Sequence, residues 1–371
     1  MNIFFDNFTQ RGADSQGIVG FGQIYDYIIG RFPPRHPMSN KIMSVIDSNV
    51  KTTSTAVYLD AAAELSKIDR KNHKQVTDSG KALVYDLLVS IATPQGANTG
   101  NSGIIDVQTF TAPMNWQTRN AVKQAHELRA ELRAEAGVVK GSIGRYAKNL
   151  RLNIDDDMED LVYGPPAVGA DLPTATSQRL YAMSSLGTTA LGGNPKWFRG
   201  GVWDYTQLSV FAQEVIGAGT VLAQDFYLHL CGGHEGLGTA TNPWTSVGVI
   251  KAYNERRQTV RDDSTLTPGG DSQFVDNESP FFRVPEQDVS ESSYIDVTLD
   301  EQDNPPYDRD VGAQDDSQKL QPCDYFTLPD QVTTHTYRVQ APLGLVKFLI
   351  NNTTADALVA FGIECLGTYE M

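Results

Sequence analysis

The sequence predicts a mainly β chain of antiparallel strands joined by long loops, with one prominent inserted helix. Short runs that alternate polar and apolar residues recur along most of its 371 residues. Gly (32) and Pro (18) punctuate those runs at turn-like intervals. One stretch, Trp116 to Ala136, has the helical period instead.

Taken in order, residues 1–50 predict an extended N-terminal arm. It is Gly-rich around Gly17–Gly22, stiffened between Pro33 and Pro37, and electrically balanced by Arg11, Arg31, Arg35 and Lys41 against Asp6, Asp14, Asp26 and Asp47. Gly17, Gly20 and Gly22 lack the spacing and the strand–helix frame of a dinucleotide fingerprint. From residue 51 to 371 the pattern predicts one large domain. Val57, Leu59 and Ala61 share a strand face, and Leu83, Tyr85, Leu87, Val89 and Ile91 alternate cleanly. The loop 93–103 is turn chemistry, and a strand near 106–112 leads into the helix insertion 115–137.

That helix has Pro113 ahead of it, Asn115 as a cap and Gly137 as a stop. Ala121, Ala125, Leu128 and Leu132 form its apolar face, and Arg119, Lys123, Glu127, Arg129, Glu131, Arg133 and Glu135 fall largely opposite. A basic tail follows: Lys140, Arg145, Lys148 and Arg151. Residues 116–151 carry eight Lys or Arg against three Glu in a chain whose net charge is -15. The overall acidity excludes a surface that binds nucleic acid throughout, but it leaves room for one basic face.

The run Asp155–Asp160 lacks the glycine and distal glutamate of an EF-hand and reads as a solvated acidic turn. Residues 164–200 read as a long connection. Strands resume around Leu208, Phe226–Leu230 and Val247–Val249. The acidic loop region 255–320 holds 17 Asp or Glu against 6 Lys or Arg, with one strand at Ser293–Leu299. Strands at Thr336–Gln340, Leu343–Ile350 and Ala357–Leu366 close the chain.

Three widely spaced cysteines give no disulfide framework. The first residues lack a signal-peptide pattern, and no stretch has the apolar length of a membrane span. His229, Cys231 and His234 have partial zinc spacing, but no fourth ligand is visible nearby. No Gly-x-Ser-x-Gly elbow occurs, and no carboxylate pair stands out among 45 acidic residues. The chain therefore does not read as an enzyme.

The segment Asn115–His126, continuing through Ala136–Lys148, resembles capsid proteins of small circular single-stranded DNA viruses. Val247–Arg257, Asn304–Asp308 and Ala341–Lys347 are similar in the same order. The resemblance implies an antiparallel jelly-roll β-sandwich that self-assembles into an icosahedral shell around a nucleic-acid genome in the virion. Such proteins commonly begin with a basic arm, which residues 1–50 are not. Non-specific contact with packaged nucleic acid is therefore assigned to Lys140, Arg145, Lys148 and Arg151. The expected partners are further copies of the chain, the packaged nucleic acid and a host receptor. No cofactor is expected beyond structural calcium between carboxylates at subunit junctions. Three alternatives remain: a double jelly-roll capsid protein of a lipid-containing phage, a receptor- or carbohydrate-binding spike module, and a metal-dependent hydrolase at His229, Cys231 and His234. About ten or eleven expected strands sit closer to one elaborated eight-stranded roll than to two.

Overall fold

A computed structural model describes residues 41–48, 55–93, 104–139, 141–144, 146–159, 177–185, 196–198, 203–211, 223–235, 245–255, 319–329, 333–352 and 357–371. Lys140, Arg145, most of the N-terminal arm and nearly all of the acidic region 255–320, with its expected strand and calcium junctions, lie outside those residues.

The chain is mainly β and its sheets are largely antiparallel. Strands β1 (Lys41–Ser48), β2 (Thr55–Asp60), β3 (Leu83–Thr93) and β4 (Ile104–Thr111) come first. Strands β11 (Gln321–Pro329), β12 (Thr333–Pro342), β13 (Leu345–Asn352) and β14 (Ala357–Glu370) come last. The first sheet has the order β1-β14-β3-β12. The second has the order β11-β4-β13-β2-β5, where β5 (Ser177–Arg179) joins β2 in parallel. Among the eight long strands, each is followed in the chain by one from the opposite sheet, except that β4 and β11, which flank the insertion, are antiparallel neighbours in the second sheet. Residues 41–48, read from sequence as part of the arm, are thus a sheet strand antiparallel to β14.

The two sheets pack through alternate residues, as a period of two requires. Tyr85, Leu87, Val89 and Ile91 of β3 face inward with Phe361 and Ile363 of β14; Val57, Leu59, Val107, Phe348 and Ile350 meet them from the second sheet. Phe348 and Phe361 touch across the gap with centroids 5.2 Å apart, and the Tyr337 hydroxyl shares a 2.6 Å hydrogen bond with Thr109. Each fully buried aliphatic or aromatic side chain contributes about 1.5–3 kcal/mol relative to exposure.

The described elements between β4 and β11 form an insertion between two paired strands of the second sheet. The long helix α2 (Trp116–Glu135) starts where the sequence places it: Asn115 Oδ1 accepts from Thr118 N at 2.9 Å. Gly137 follows with φ +71°. Ala121 and Ala125 are buried, while Leu128 and Leu132 pack at the core margin. Two other helices begin at residues read from the sequence as strand, Ala61 and Val249. Helix α1 (Ala61–Asp69) begins where Asp60 caps Ala63 N at 3.0 Å, and α4 (Val249–Glu255) follows directly on β10 (Ser246–Gly248). Between them lies the single turn α3 (Asp156–Glu159). Helix α4 lies against α2, with Trp116 edge-on to Tyr253 and Asn120 donating to the Tyr253 hydroxyl at 3.2 Å. A small sheet, β10-β9-β8, contains β8 (Gln207–Phe211) and β9 (Ala223–His229), and a two-stranded one pairs β6 (Met183–Ser185) with β7 (Lys196–Trp197). Among the described residues no helix is long and apolar enough to cross a membrane.

Strand β12 passes to β13, and so to the other sheet, through Leu343 and Gly344, both at positive φ. Gly344 O accepts from Ala61 N at 2.8 Å, and a Cβ on Gly344 would lie 3.0 Å from Tyr85 Cδ2 and 3.3 Å from Ala61 Cβ. Gly344→Ala is expected to lower stability by about 1–3 kcal/mol, because the left-handed backbone and the crowded corner both resist a side chain. A shifted urea midpoint at unchanged m-value would show it; an unshifted midpoint would mean the corner relaxes freely.

Candidate functional site

The basic segment comes first. Of the four cations assigned to nucleic acid, Lys140 and Arg145 lie outside the described residues. Lys148 is half-buried on a short 3-10 turn, Tyr146–Lys148. Arg151 is only 5% exposed. Its guanidinium donates to the Asp204 and Tyr146 carbonyls at 2.8 and 2.6 Å, and it stacks between the Tyr146 and Trp203 rings, 3.7 and 4.7 Å from their centroids.

Two helix arginines converge on the same turn. Arg129 reaches the Asn149 and Ala147 carbonyls at 2.6 and 3.0 Å, and Arg133 reaches Ala147 O at 2.8 Å. The carbonyls at the end of a short helical turn have no partner of their own, so charged donors are strong ones for them. Among the described residues none of these three arginines forms an ion pair with a carboxylate. Burial lowers the affinity of each for its proton, and for Arg129 the neighbouring Arg133 and Arg151 lower it further. The cluster is therefore a concentration of positive charge that also shapes the turn. Alternation along the helix placed Arg129 and Arg133 on a solvated face; the turn at 146–149 folds back to meet them.

A second cluster was not visible in the sequence. It lies on the outer face of the second sheet, where β2 is buried on both sides. Asp60 Oδ2 accepts from Gln75 Nε2 at 2.9 Å and from the Tyr205 hydroxyl at 2.8 Å, and that hydroxyl accepts from Arg179 Nη1 at 2.7 Å. Gln75 also brackets Leu152, accepting from its N–H at 2.7 Å and donating to its carbonyl at 3.2 Å. Burial pushes the Asp60 carboxyl above its ordinary range, and the Ala63 N–H, the Tyr205 hydroxyl and Arg179 offset only part of that. An Asp directly before Ala61-Ala-Ala was a readable helix-cap signal for Asp60. Gln75, Arg179 and Tyr205 carried none.

Beside it, Lys347 Nζ sits 2.6 Å from Asp155 Oδ2 and 3.1 Å from Asp157 Oδ2, and the Tyr58 hydroxyl donates to the same Asp155 oxygen at 3.2 Å. Asp155 is buried and caps Met158 N at 3.1 Å while Asp157 is exposed, so the acidic turn is not solvated throughout.

The third cluster is the His229 loop. His229 is fully buried; its Nδ1 lies 2.5 Å from Ser246 Oγ and its Nε2 2.7 Å from Gly233 O. The loop can close that tightly because Gly248 has no side chain: a Cβ there would lie 2.3 Å from Gly232 O. Both ring nitrogens are occupied, Cys231 is buried with its thiol pushed up by desolvation, and His234 Nδ1 accepts from Gly248 N at 3.1 Å. Among the described residues no group of three or more His, Cys, Asp or Glu is placed to hold a metal ion.

Desolvation holds His229 down at about 4 against an ordinary 6.5, with Asp156 opposing and His234 reinforcing the shift. The unfolded chain then binds one more proton than the folded one between those values, so stability is lost as pH falls from 6.5 towards 4. Asp60 and Asp155, both raised from 3.8, have the opposite sign, contributing stability that is lost as pH rises through their folded values. His229→Gln is expected to reduce the fall in urea-derived stability between pH 6.5 and 4.5 (range set by the ordinary and folded values) by about 2–3 kcal/mol. An equal fall in the variant would place the acid response elsewhere. Comparison with known protein families, with curated proteins and with solved structures finds no match to this chain.

Proposed function

We propose that the chain is a structural capsid protein: a jelly-roll subunit that associates with copies of itself into a closed shell around nucleic acid, and not an enzyme. The observation that carries this reading is the alternation of successive strands between sheets ordered β1-β14-β3-β12 and β11-β4-β13-β2, broken once where β4 pairs with β11. Eight strands wound that way, with a parallel β5 added at one edge, support the reading of a single jelly roll over a double one. Jelly rolls also serve carbohydrate-binding and lectin domains, so fold alone does not decide function. The absence of a persuasive catalytic constellation in the sequence and its resemblance to shell proteins weigh toward a structural role.

Within this reading the positive cluster around residues 146–151 contacts the genome without base specificity. Arg129, Arg133 and Arg151 shape the turn and supply the local potential. Lys148, and Lys140 and Arg145 by sequence, supply the direct phosphate contacts.

Negative-stain microscopy of the purified full-length protein is expected to show closed particles of uniform diameter. Compact monomers or trimers that bind glycans would overturn the shell reading in favour of a receptor-binding module. In the particles, replacing Lys140, Arg145 and Lys148 together by Gln is expected to leave assembly intact and lower co-purified nucleic acid. It should also reduce the log–log salt slope for DNA binding by roughly 2–3. Arg151→Gln is expected to act differently, destabilising the subunit by about 1–3 kcal/mol through the buried carbonyls it abandons. An unchanged nucleic-acid content and slope in the triple variant would remove the segment from the genome contact.

A further inference from the structure

The cluster of Lys347, Asp155, Asp157 and Tyr58 holds an amine against a carboxyl in a nearly closed setting, with a second acid on the amine. The Lys347 and Asp155 side chains are 12% and 8% exposed. They come from segments 192 residues apart: β13, in the middle of the second sheet, and the insertion that covers it. Tyr58 lies under the ammonium, with its ring centroid 5.1 Å from Nζ, and its hydroxyl donates to the oxygen that Lys347 contacts. Asp157 contacts the same ammonium and is 64% exposed, so it connects the pair to water.

We propose that Lys347 and Asp155 join in an intramolecular amide bond, formed without cofactor, that fastens the insertion covalently to the sheet. The step balances without any other reactant. The ammonium passes one proton to the Asp155 carboxylate, giving an amine and a carboxylic acid. The nitrogen lone pair attacks Cγ and the C–N bond forms. Asp157 takes a proton from that nitrogen and delivers it to the departing Oδ2. The Cγ–Oδ2 bond breaks, water leaves past exposed Asp157, and Asp157 returns to its starting state. Tyr58 polarises the departing oxygen throughout.

Holding the two groups in contact substitutes for a concentration of about 10⁵–10⁸ M of one reactant. Burial pushes the Asp155 carboxyl upward, the direction in which an electrophilic acid is reached, while the two aspartates hold Lys347 above its ordinary value. The ion pair is therefore the starting state, and one proton transfer within it gives the reactive pair. Lys67 and Glu64 provide an internal contrast. They are as close, 2.6 Å, and as buried, yet among the described residues no second carboxylate touches Lys67, and Glu64 Oε2 accepts from Ala182 N. That pair lacks a proton shuttle and stays an ion pair.

The test is the intact mass of the folded full-length protein, followed by tryptic mapping. The mass is expected to fall below the sequence value by one water molecule. Trypsin should release residues 152–179 joined to 339–371, since an amide on Lys347 blocks cleavage after it. In Lys347→Arg and in Asp157→Asn the full sequence mass should return, and in Asp155→Asn the loss should become one ammonia. Wild-type protein of full sequence mass overturns the proposal. So does a water loss whose tryptic map leaves 152–179 and 339–347 separate, because a cyclised aspartate elsewhere would then account for it. The proposal stands independently of the shell reading, since neither result depends on assembly.

Discussion

Asp60 is the point on which four parts of the chain converge. It ends β2, caps α1, accepts from Gln75 on the loop that follows, and accepts from Tyr205 deep in the insertion. A fully buried carboxylate is tolerable only when every lone pair finds a donor. Here those donors are supplied by residues that must all arrive in one arrangement. Arg179 completes the set through the shared Tyr205 hydroxyl and anchors itself on the Met158 carbonyl at 2.7 Å. The network is thus a coincidence condition. The sandwich presents one half of it and the insertion the other.

Such a network is a poor source of stability and a good source of uniqueness. Desolvating a carboxylate and a guanidinium costs several kcal/mol each, and hydrogen bonds return that only with near-ideal geometry. An apolar cover over β2 would bind as tightly, but it could slide. Gln75 gripping both polar groups of Leu152, and Lys347 beside Asp155, fix where the segment 149–158 sits along the strands. The same register brings Tyr146–Asn149 under Arg129 and Arg133. The position of the positive cluster is in this sense a consequence of the buried acids below it.

What could be read from the sequence follows from the range of the interactions. Local periodicity gave the inward face of β3, the helix at 116 and its Asn115 cap, because each is decided within a few residues. The β-rich class followed for the same reason. Ala61 and Val249 were read as strand where each begins a helix, because a short apolar run bears no period long enough to separate helix from sheet. The acidic turn at 155 was read as solvated because charge runs usually are; nothing nearby announces that Lys347 closes over it. The His229 loop gave a partial metal signature because spacing cannot reveal that Ser246 and Gly233 occupy both ring nitrogens.

The division of labour between sandwich and insertion bears on how one chain could meet several demands. The eight long strands pair with one another in two ladders, with a tight two-residue corner at Leu343–Gly344, and the insertion adds to them only through β5 at the edge of β2. The insertion adds its own small sheets and packed helices, and it shares one continuous apolar core with the sandwich, into which the polar contacts at Asp60 and Asp155 are set. Those polar contacts fix orientation while adding little net energy as hydrogen bonds and ion pairs, because desolvation and pairing nearly cancel. The outward-facing parts of the insertion can then change sequence with little effect on the ladder beneath, provided the acceptors at Asp60 and Asp155 keep their donors. That constraint explains why the charged residues that matter most for the architecture are buried ones, Asp60, Arg151, Asp155 and Arg179, in a chain whose acidity is otherwise concentrated in a separate region.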